Sequence, residues 1–257
     1  MQKQTNPALG KEGTTPLRVL VIDDSERHQK SARLTLADHD LTIVGTYEEA
    51  EKILLPAIYK AGGPKVEEEM ERLGFSTDVK SYKDWEEFRK VQKEIAKKLF
   101  PTFDAVLCDL LMPVVHMSVL REQKNEEYAG EEMPFGFSLA FQAAKHGAKY
   151  VAVVTDTGHH DHPASAMLDP LSFKVQFTIT GFHRHRGVTT GDRYGAAVGF
   201  YNSPKMVEVE GVCHACDGTG QRHDSEYKCP TCRGSGSARG KDWGCILKKL
   251  LAAGETA

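Results

Sequence analysis

The sequence has no excess of basic residues: 33 Lys and Arg stand against 36 Asp and Glu, for a formal net charge of -3. A chain without spare cations has nothing with which to neutralise a run of phosphates, which argues against nucleic acid as its partner. Long apolar runs are missing too. Even the stretch Ala105 to Val115 is broken by Asp109, so no ordinary membrane span is expected. The first sixteen residues, Met1 to Pro16, are polar and punctuated by Gly and Pro, with no apolar centre like that of a signal peptide. They read as a disordered lead-in to a cytoplasmic protein. Cysteine is sparse, and six in 257 residues do not make a disulfide scaffold. No helix-turn-helix, kinase motif or assembled Ser/His/Asp arrangement is found. The glycine-rich stretch Gly187 to Gly199 lacks the Lys-Ser/Thr of a phosphate-binding loop and reads as a turn between strands.

What is present is enough apolar material for a core. Leu17 to Asp23 reads as a buried strand, with Ser25 placed to cap a helix running to about Ala37. Leu41 to Val44, Phe103 to Asp109, Tyr150 to Thr155 and Ala196 to Tyr201 supply four more candidate strands. Helices are expected from Thr46, from Phe135 to Gly147, and from Lys241 to Ala252. Continuous apolar strands alternating with helices imply a parallel sheet covered on both faces, an α/β fold. The organisation expected is a tail over 1–16, a main domain over 17–208, a cysteine module over 209–240 and a closing helix with its tail over 241–257. Two insertions lengthen this plan, at about 56–100 and about 114–133. In the first, Trp85, Phe88, Val91, Ile95 and Leu99 recur at helical spacing, the pattern of an amphipathic helix packed on the domain or of a partner-binding face.

The strand ends carry the chemistry. In parallel α/β sheets, ligands bind outside the carboxyl ends of the strands. Asp23 and Asp24 end the first strand, Asp109 the third and Thr155 the fourth. Carboxylates gathered in one crevice repel one another and call for a cation or a raised pKa. Mg²⁺ suits a site in which one or two carboxylates share the ion with waters and phosphate oxygens. An Asp can also attack phosphorus to form an aspartyl-phosphate. The plain alternative is that each Asp caps the turn or helix that follows it.

Val-Leu-Val-Ile-Asp-Asp-Ser, Val-Leu-Cys-Asp-Leu-Leu-Met-Pro and Val-Ala-Val-Val-Thr-Asp-Thr occur in that order. Together they resemble the receiver domain of bacterial response regulators. The resemblance implies a flavodoxin-like five-stranded parallel sheet of order 2-1-3-4-5. It further implies Asp109 as phospho-acceptor, Asp23, Asp24 and Asp109 as the Mg²⁺ site, and Thr155 as a switch hydroxyl. Met112-Pro113 matches the turn after the acceptor strand, and Phe200 or Tyr201 falls at the aromatic switch position. The partners implied are a histidine kinase or phosphotransfer protein and a downstream protein. One departure stands out. The family ends its fifth strand in Lys-Pro, whereas Ser203 precedes Pro204 here, with Lys205 next to it and Lys174 in a segment without assignment. Lys205 is the candidate substitute.

Cys213-His-Ala-Cys216-Asp-Gly-Thr-Gly is answered, after a twelve-residue gap between Cys216 and Cys229, by Cys229-Pro-Thr-Cys232-Arg-Gly-Ser-Gly. Two CxxC knuckles at this spacing place four thiolates around one structural Zn²⁺, and the glycines free the backbone to turn where amides point back at sulfur. The repeat resembles the cysteine-rich region of DnaJ-type co-chaperones, with two repeats in place of four. The J-domain triplet is not matched, because His162-Pro163-Ala164 lacks its Asp. Cys108 and Cys245 sit in apolar stretches and read as buried small residues. His159, His160 and His162, and later His183 and His185, read as surface histidines or as a second metal site.

The expectation is therefore a two-component phosphoprotein: a receiver-type switch, with no enzymatic activity beyond self-phosphorylation and autodephosphorylation, and a zinc module for partner contact. A non-phosphorylated docking scaffold is the alternative. A phosphohydrolase with an Asp nucleophile is disfavoured, since the haloacid dehalogenase-like pattern needs Asp-x-Asp where this chain has Asp-Asp-Ser.

Overall fold

The computed structural model of the chain describes residues 15–55, 62–100, 102–113, 130–158, 161–172, 177–185, 188–222 and 225–254, with residues 172, 177–185, 188–195 and 254 described by their backbone only. The chain runs β1 (Arg18–Ile22), α1 (Glu26–Thr35), β2 (Asp40–Val44), α2 (Tyr47–Leu54), α3 (Pro64–Arg72), a short 3-10 turn, α4 (Trp85–Leu99), β3 (Ala105–Asp109), β4 (Met112–Pro113) and β5 (Glu132–Met133). It continues through α5 (Phe135–Lys145), β6 (Tyr150–Thr155), α6 (Pro163–Ala166), α7 (Asp169–Ser172), β7 (Phe177–His185), β8 (Val188–Asn202), β9 (Met206–Val212), β10 (Ser237–Lys241) and α8 (Trp243–Gly254).

The main sheet has the order β2-β1-β3-β6-β8-β7. Its first five strands are parallel, and β7 runs antiparallel to β8 at the edge. Alternation of side chains along each strand divides the core in two. Leu20, Ile22, Val106, Cys108, Val151 and Val153 face α2 and α5, against Ala50, Leu54, Leu139 and Ala143. Val19, Val21, Ala105, Leu107, Ala152 and Val154 face the other way, onto Ala32 and Leu36 of α1 and Trp243, Ile246, Leu247 and Leu250 of α8. Each fully buried aliphatic side chain contributes about 1.5–3 kcal/mol, so the two apolar layers together fix the register of the strands and hence the alignment of their carboxyl ends.

Several expectations need correction. Val188 to Gly199 is not the expected turn: it lies within the long strand β8, while Gly187 is outside the described residues. At Gly199 an added Cβ would sit 2.8 Å from the Tyr201 ring and 3.0 Å from Leu250, so this glycine serves close packing. Strand β7 was not foreseen. Lys241 belongs to β10, and the closing helix starts at Trp243. Ser25 holds the N-cap position of α1, but its side chain makes no capping bond. Cys108 is buried, whereas Cys245 is only partly so. Lys174, His159 and His160 lie outside the described residues.

The first insertion is a pair of helices with its own small core. Val66 and Met70 of α3 pack on Phe88, Ile95 and Ala96 of α4. The apolar stripe is thus mostly core, although Trp85 at its start is 56% exposed. Of the second insertion only its ends are described: Met112 and Pro113 pair with Met133 and Glu132. Among the described residues no helix is long and apolar enough to cross a membrane.

Candidate functional site: an acidic pocket closed by a lysine

The carboxyl ends of β1 and β3 are neighbours, because the two strands pair from Val19↔Ala105 to Ile22↔Cys108. Asp23 and Asp24 follow β1, and Asp109 ends β3. One carboxylate oxygen from each of the three lies within 4.8 Å of the others. Asp23 is fully buried, with Oδ1 accepting the Ser25 amide at 2.9 Å. Asp24 is exposed, and Asp109 keeps an edge on a pocket that Ser25, Arg27, Leu111, Glu132, Thr157 and Asp161 also line.

The cation in this cluster is Lys241, from the far end of β10. Its ammonium donates to Asp23 Oδ2 at 2.8 Å and pairs with Asp109 Oδ1 at 2.9 Å and Asp156 Oδ1 at 3.7 Å. Lys205, the expected substitute, points elsewhere: it is largely exposed and lies 3.8 Å from Asp242. Burying an ammonium is costly unless partners surround it. Here burial pulls the Lys241 pKa down, but the carboxylates of Asp109, Asp23 and Asp156 outweigh burial and raise it, so the side chain stays charged.

A second tier holds the lysine in place. His28 of α1 is buried; its Nδ1 accepts the Lys241 amide at 3.1 Å, and its Nε2 lies 3.1 Å from Asp156 Oδ2. With Nδ1 accepting, Nε2 carries the hydrogen and donates to Asp156. Arg27 adds an ion pair to the same oxygen at 2.9 Å. Burial raises the Asp156 pKa, but the His28 hydrogen bond, Lys241 and Arg27 together hold it well below the usual carboxylate range. The Trp243 indole donates to the His28 carbonyl at 3.0 Å.

The balance of charge is incomplete. Asp23, Asp24, Asp109 and Asp156 face one ammonium and one guanidinium. Burial pushes Asp109 up to about 8, with Lys241 opposing and Asp23 adding to the rise. Burial and Asp23 raise Asp24 as well. Asp109 Oδ1 is buried, with the Lys241 ammonium 2.9 Å away. An all-oxygen donor set with surplus negative charge suits a hard divalent cation. Thr155 ends β6 beside Asp156, but its hydroxyl accepts the Thr157 amide at 3.1 Å and does not line the pocket. Phe200 packs in the α5-side core against Phe137, and Tyr201 on the α8 side. His162 caps α6, its Nδ1 accepting the Ala164 amide at 3.1 Å.

The four cysteines form a second centre, between β9 and β10. Cys213 and Cys229 sulfurs lie 3.9 Å apart, and Cys216 and Cys232 sulfurs 3.7 Å apart. A tetrahedral ion with bonds of about 2.3 Å to sulfur requires about 3.8 Å between sulfurs, so the cluster fits zinc. All four are buried. The repeats interlock: the Cys213 amide donates to Gly236 O at 2.8 Å, and the Cys229 amide to Gly220 O at 2.9 Å. Gly218, Gly220, Gly234 and Gly236 all have positive φ, as the sharp knuckle turns require. The Gly236 amide reaches Cys232 Sγ at 3.3 Å. Against burial, which raises it, this and the Gly234 amide bring the Cys232 thiol down to about 6.

The chain matches no protein-family model, no curated protein and no solved structure. The acidic pocket and the cysteine cluster therefore rest on geometry. Asp23, Asp24 and Asp109 were legible from the strand ends, and the cysteines from their spacing. Lys241, His28 and Asp156 were missed. The one available signal was Lys241-Asp242 immediately before an apolar helix, which the helical reading absorbed.

Proposed function

We propose that the chain is a receiver-type signalling protein of flavodoxin-like fold that takes a phosphoryl group on Asp109. The observation that carries this reading is the Lys241 ammonium seated between Asp23 and Asp109, at the carboxyl ends of adjacent parallel strands. The parallel strands, counted in chain order, run 2-1-3-4-5, the order of flavodoxin-like sheets. A lysine beside the acceptor aspartate is also what the receiver resemblance lacked in sequence.

In this reading a carboxylate oxygen of Asp109 forms the new bond to phosphorus as the bond to the donor's leaving group breaks, the electron pair departing with that group. Asp23 and Asp24, with Asp109, would hold Mg²⁺, which supplies neutralisation of the phosphoryl oxygens. Lys241 stabilises the remaining negative charge and keeps Asp109 oriented. Asp156, Arg27 and His28 hold Lys241. Water later displaces the phosphoryl group as inorganic phosphate and regenerates the carboxylate. The four-cysteine module would carry one structural zinc and serve partner contact, with a histidine kinase or phosphotransfer protein upstream and a protein downstream, in the cytoplasm.

A second reading has its own support. The Thr155 hydroxyl is engaged locally, and Lys241 already satisfies Asp23 and pairs with Asp109. A protein that keeps this closed ion-pair network without phosphoryl transfer would act as a docking module. Incubation with Mg²⁺ and acetyl phosphate, followed by intact mass of wild type and Asp109→Asn, separates the two. The switch requires one added phosphoryl mass that depends on Mg²⁺ and is lost in the variant. A folded, zinc-loaded protein that gains no mass supports docking.

A further inference from the structure

We infer that the four-cysteine module positions Lys241: its bound metal closes the β9–β10 hairpin and so seats the ammonium between Asp23 and Asp109, and loss of the metal releases it. The inference deepens the receiver reading by naming what controls its pocket, although seating of the lysine requires no phosphoryl transfer.

The connection is short. Gly236 O, held by the Cys213 amide, precedes β10, and Lys241 ends that strand. Five residues of extended chain, about 17 Å, separate the cysteine cluster from the acidic pocket. Among the described residues only its partner strand pairs with β10. The hairpin is a separate two-stranded sheet, in register from Lys241↔Met206 to Ala238↔Val209, with a shift before Ser237↔Val212. A two-stranded hairpin is marginal in water by itself; both strands also pack on α1, so closure is shared between that helix and what joins the far end.

At that end stands the cysteine cluster and little else. Its buried core is the four cysteines, with Ala215 packed against them. Ordering a residue costs backbone entropy, and the described residues between Cys213 and Gly236 have almost no apolar burial to offset it. Binding of a structural zinc is itself folding free energy in knuckles of this kind. The metal is therefore the main term favouring closure at that far end.

At the near end β10 makes contacts that only its extended, docked form allows. The Lys241 amide donates to His28 Nδ1. Gly240 lies so close to α1 that an added Cβ would come within 2.5 Å of Arg27 O and Ser31 Oγ. A buried ammonium persists only while its geometry is good. Once β10 detaches, solvent competes for Lys241, and the acidic pocket loses its fixed cation. Opposing release is α8, whose Trp243 stays anchored in the α1-side core. The experiment measures which anchor governs.

The whole chain, zinc-loaded, is pulsed with an amine-acetylating reagent before and after chelation, with metal content measured and lysines read by peptide mass spectrometry. Lys149 and Lys205, each 71% exposed, serve as references, and amide exchange over β3 reports the core. The expected result is a rise of at least about tenfold in Lys241 acetylation on metal loss, with the references unchanged and β3 still protected. Lys241 remaining protected, or reacting only together with loss of β3 protection, overturns the inference. A second form joins Val209 to Ala238 through Asn-Gly, closing the hairpin covalently without cysteines. Its Lys241 should stay protected and be indifferent to chelator; a reactive Lys241 in this folded form also overturns it. Failure of the acetyl phosphate experiment leaves these outcomes untouched.

Discussion

Lys241 and Asp23 lie 218 residues apart in the chain and 2.8 Å apart in the fold, and neither side chain has any exposure. Removing one member of a buried pair leaves the other charged without compensation and costs about 3–5 kcal/mol. Lys241→Met should therefore lower unfolding stability in urea by about that amount, and Asp23→Asn in the same background should recover part of it. Lys205→Ala, at a largely exposed pair, should change stability by no more than about 0.5 kcal/mol. Equal effects of the two lysine substitutions would contradict the assignment of Lys241 to the site.

How much of this was legible in the sequence follows from the range of each interaction. The parallel strands of the main sheet show as apolar runs because both faces are covered. The carboxylates at their ends follow from the sheet's own geometry, and the cysteine knuckles from local spacing. The lysine does not. Lys241 meets His28 and Asp23 only after the hairpin returns across α1, over separations of 213 and 218 residues. No periodicity encodes such a meeting. Its sequence neighbourhood, ahead of the apolar face of Trp243, Ile246, Leu247 and Leu250, looks like the start of a helix. The length of β8 was hidden for a different reason. Its glycines suggest a turn when read alone, whereas Gly199 is required by the ring of Tyr201 and by Leu250 on α8.

The protonation of Asp109 sets a pH dependence. Burial pushes its pKa up to about 8 in the absence of a divalent cation, so the carboxylate is scarce at pH 6 and predominant at pH 9. Only the ionised form attacks phosphorus. With Mg²⁺ well below saturation, the initial rate of phosphoryl addition should rise across this range. Saturating Mg²⁺ favours the ionised form and should move the rise to lower pH. A rate independent of both pH and Mg²⁺ would separate Asp109 from the chemistry.

The cysteine cluster should bind one zinc per chain, measured by elemental analysis of the purified protein. Cys232→Ser should abolish retention of the ion, because a structural site needs all four ligands. Cys245→Ser, outside the cluster and only partly buried, should keep full stoichiometry. Retention of zinc by Cys232→Ser would point to ligands other than these four.

The helical insertion offers a test of packing against exposure on one helix face. Phe88 and Trp85 belong to the same stripe, and their rings lie 5.4 Å apart. Phe88 is buried against Val66, Met70 and Ile95, whereas Trp85 is 56% exposed. Truncating a buried aromatic to alanine costs about 3–5 kcal/mol through lost burial and the cavity left behind. Phe88→Ala should thus expose the amides of α3 and α4 to exchange, while Trp85→Ala should leave them protected. The α3–α4 pair has a core distinct from the two layers of the main sheet, so Phe88→Ala should leave β1 and β3 protected. Loss of β3 protection in Phe88→Ala would show instead that the insertion supports the sheet, and with it the alignment of Asp23 and Asp109.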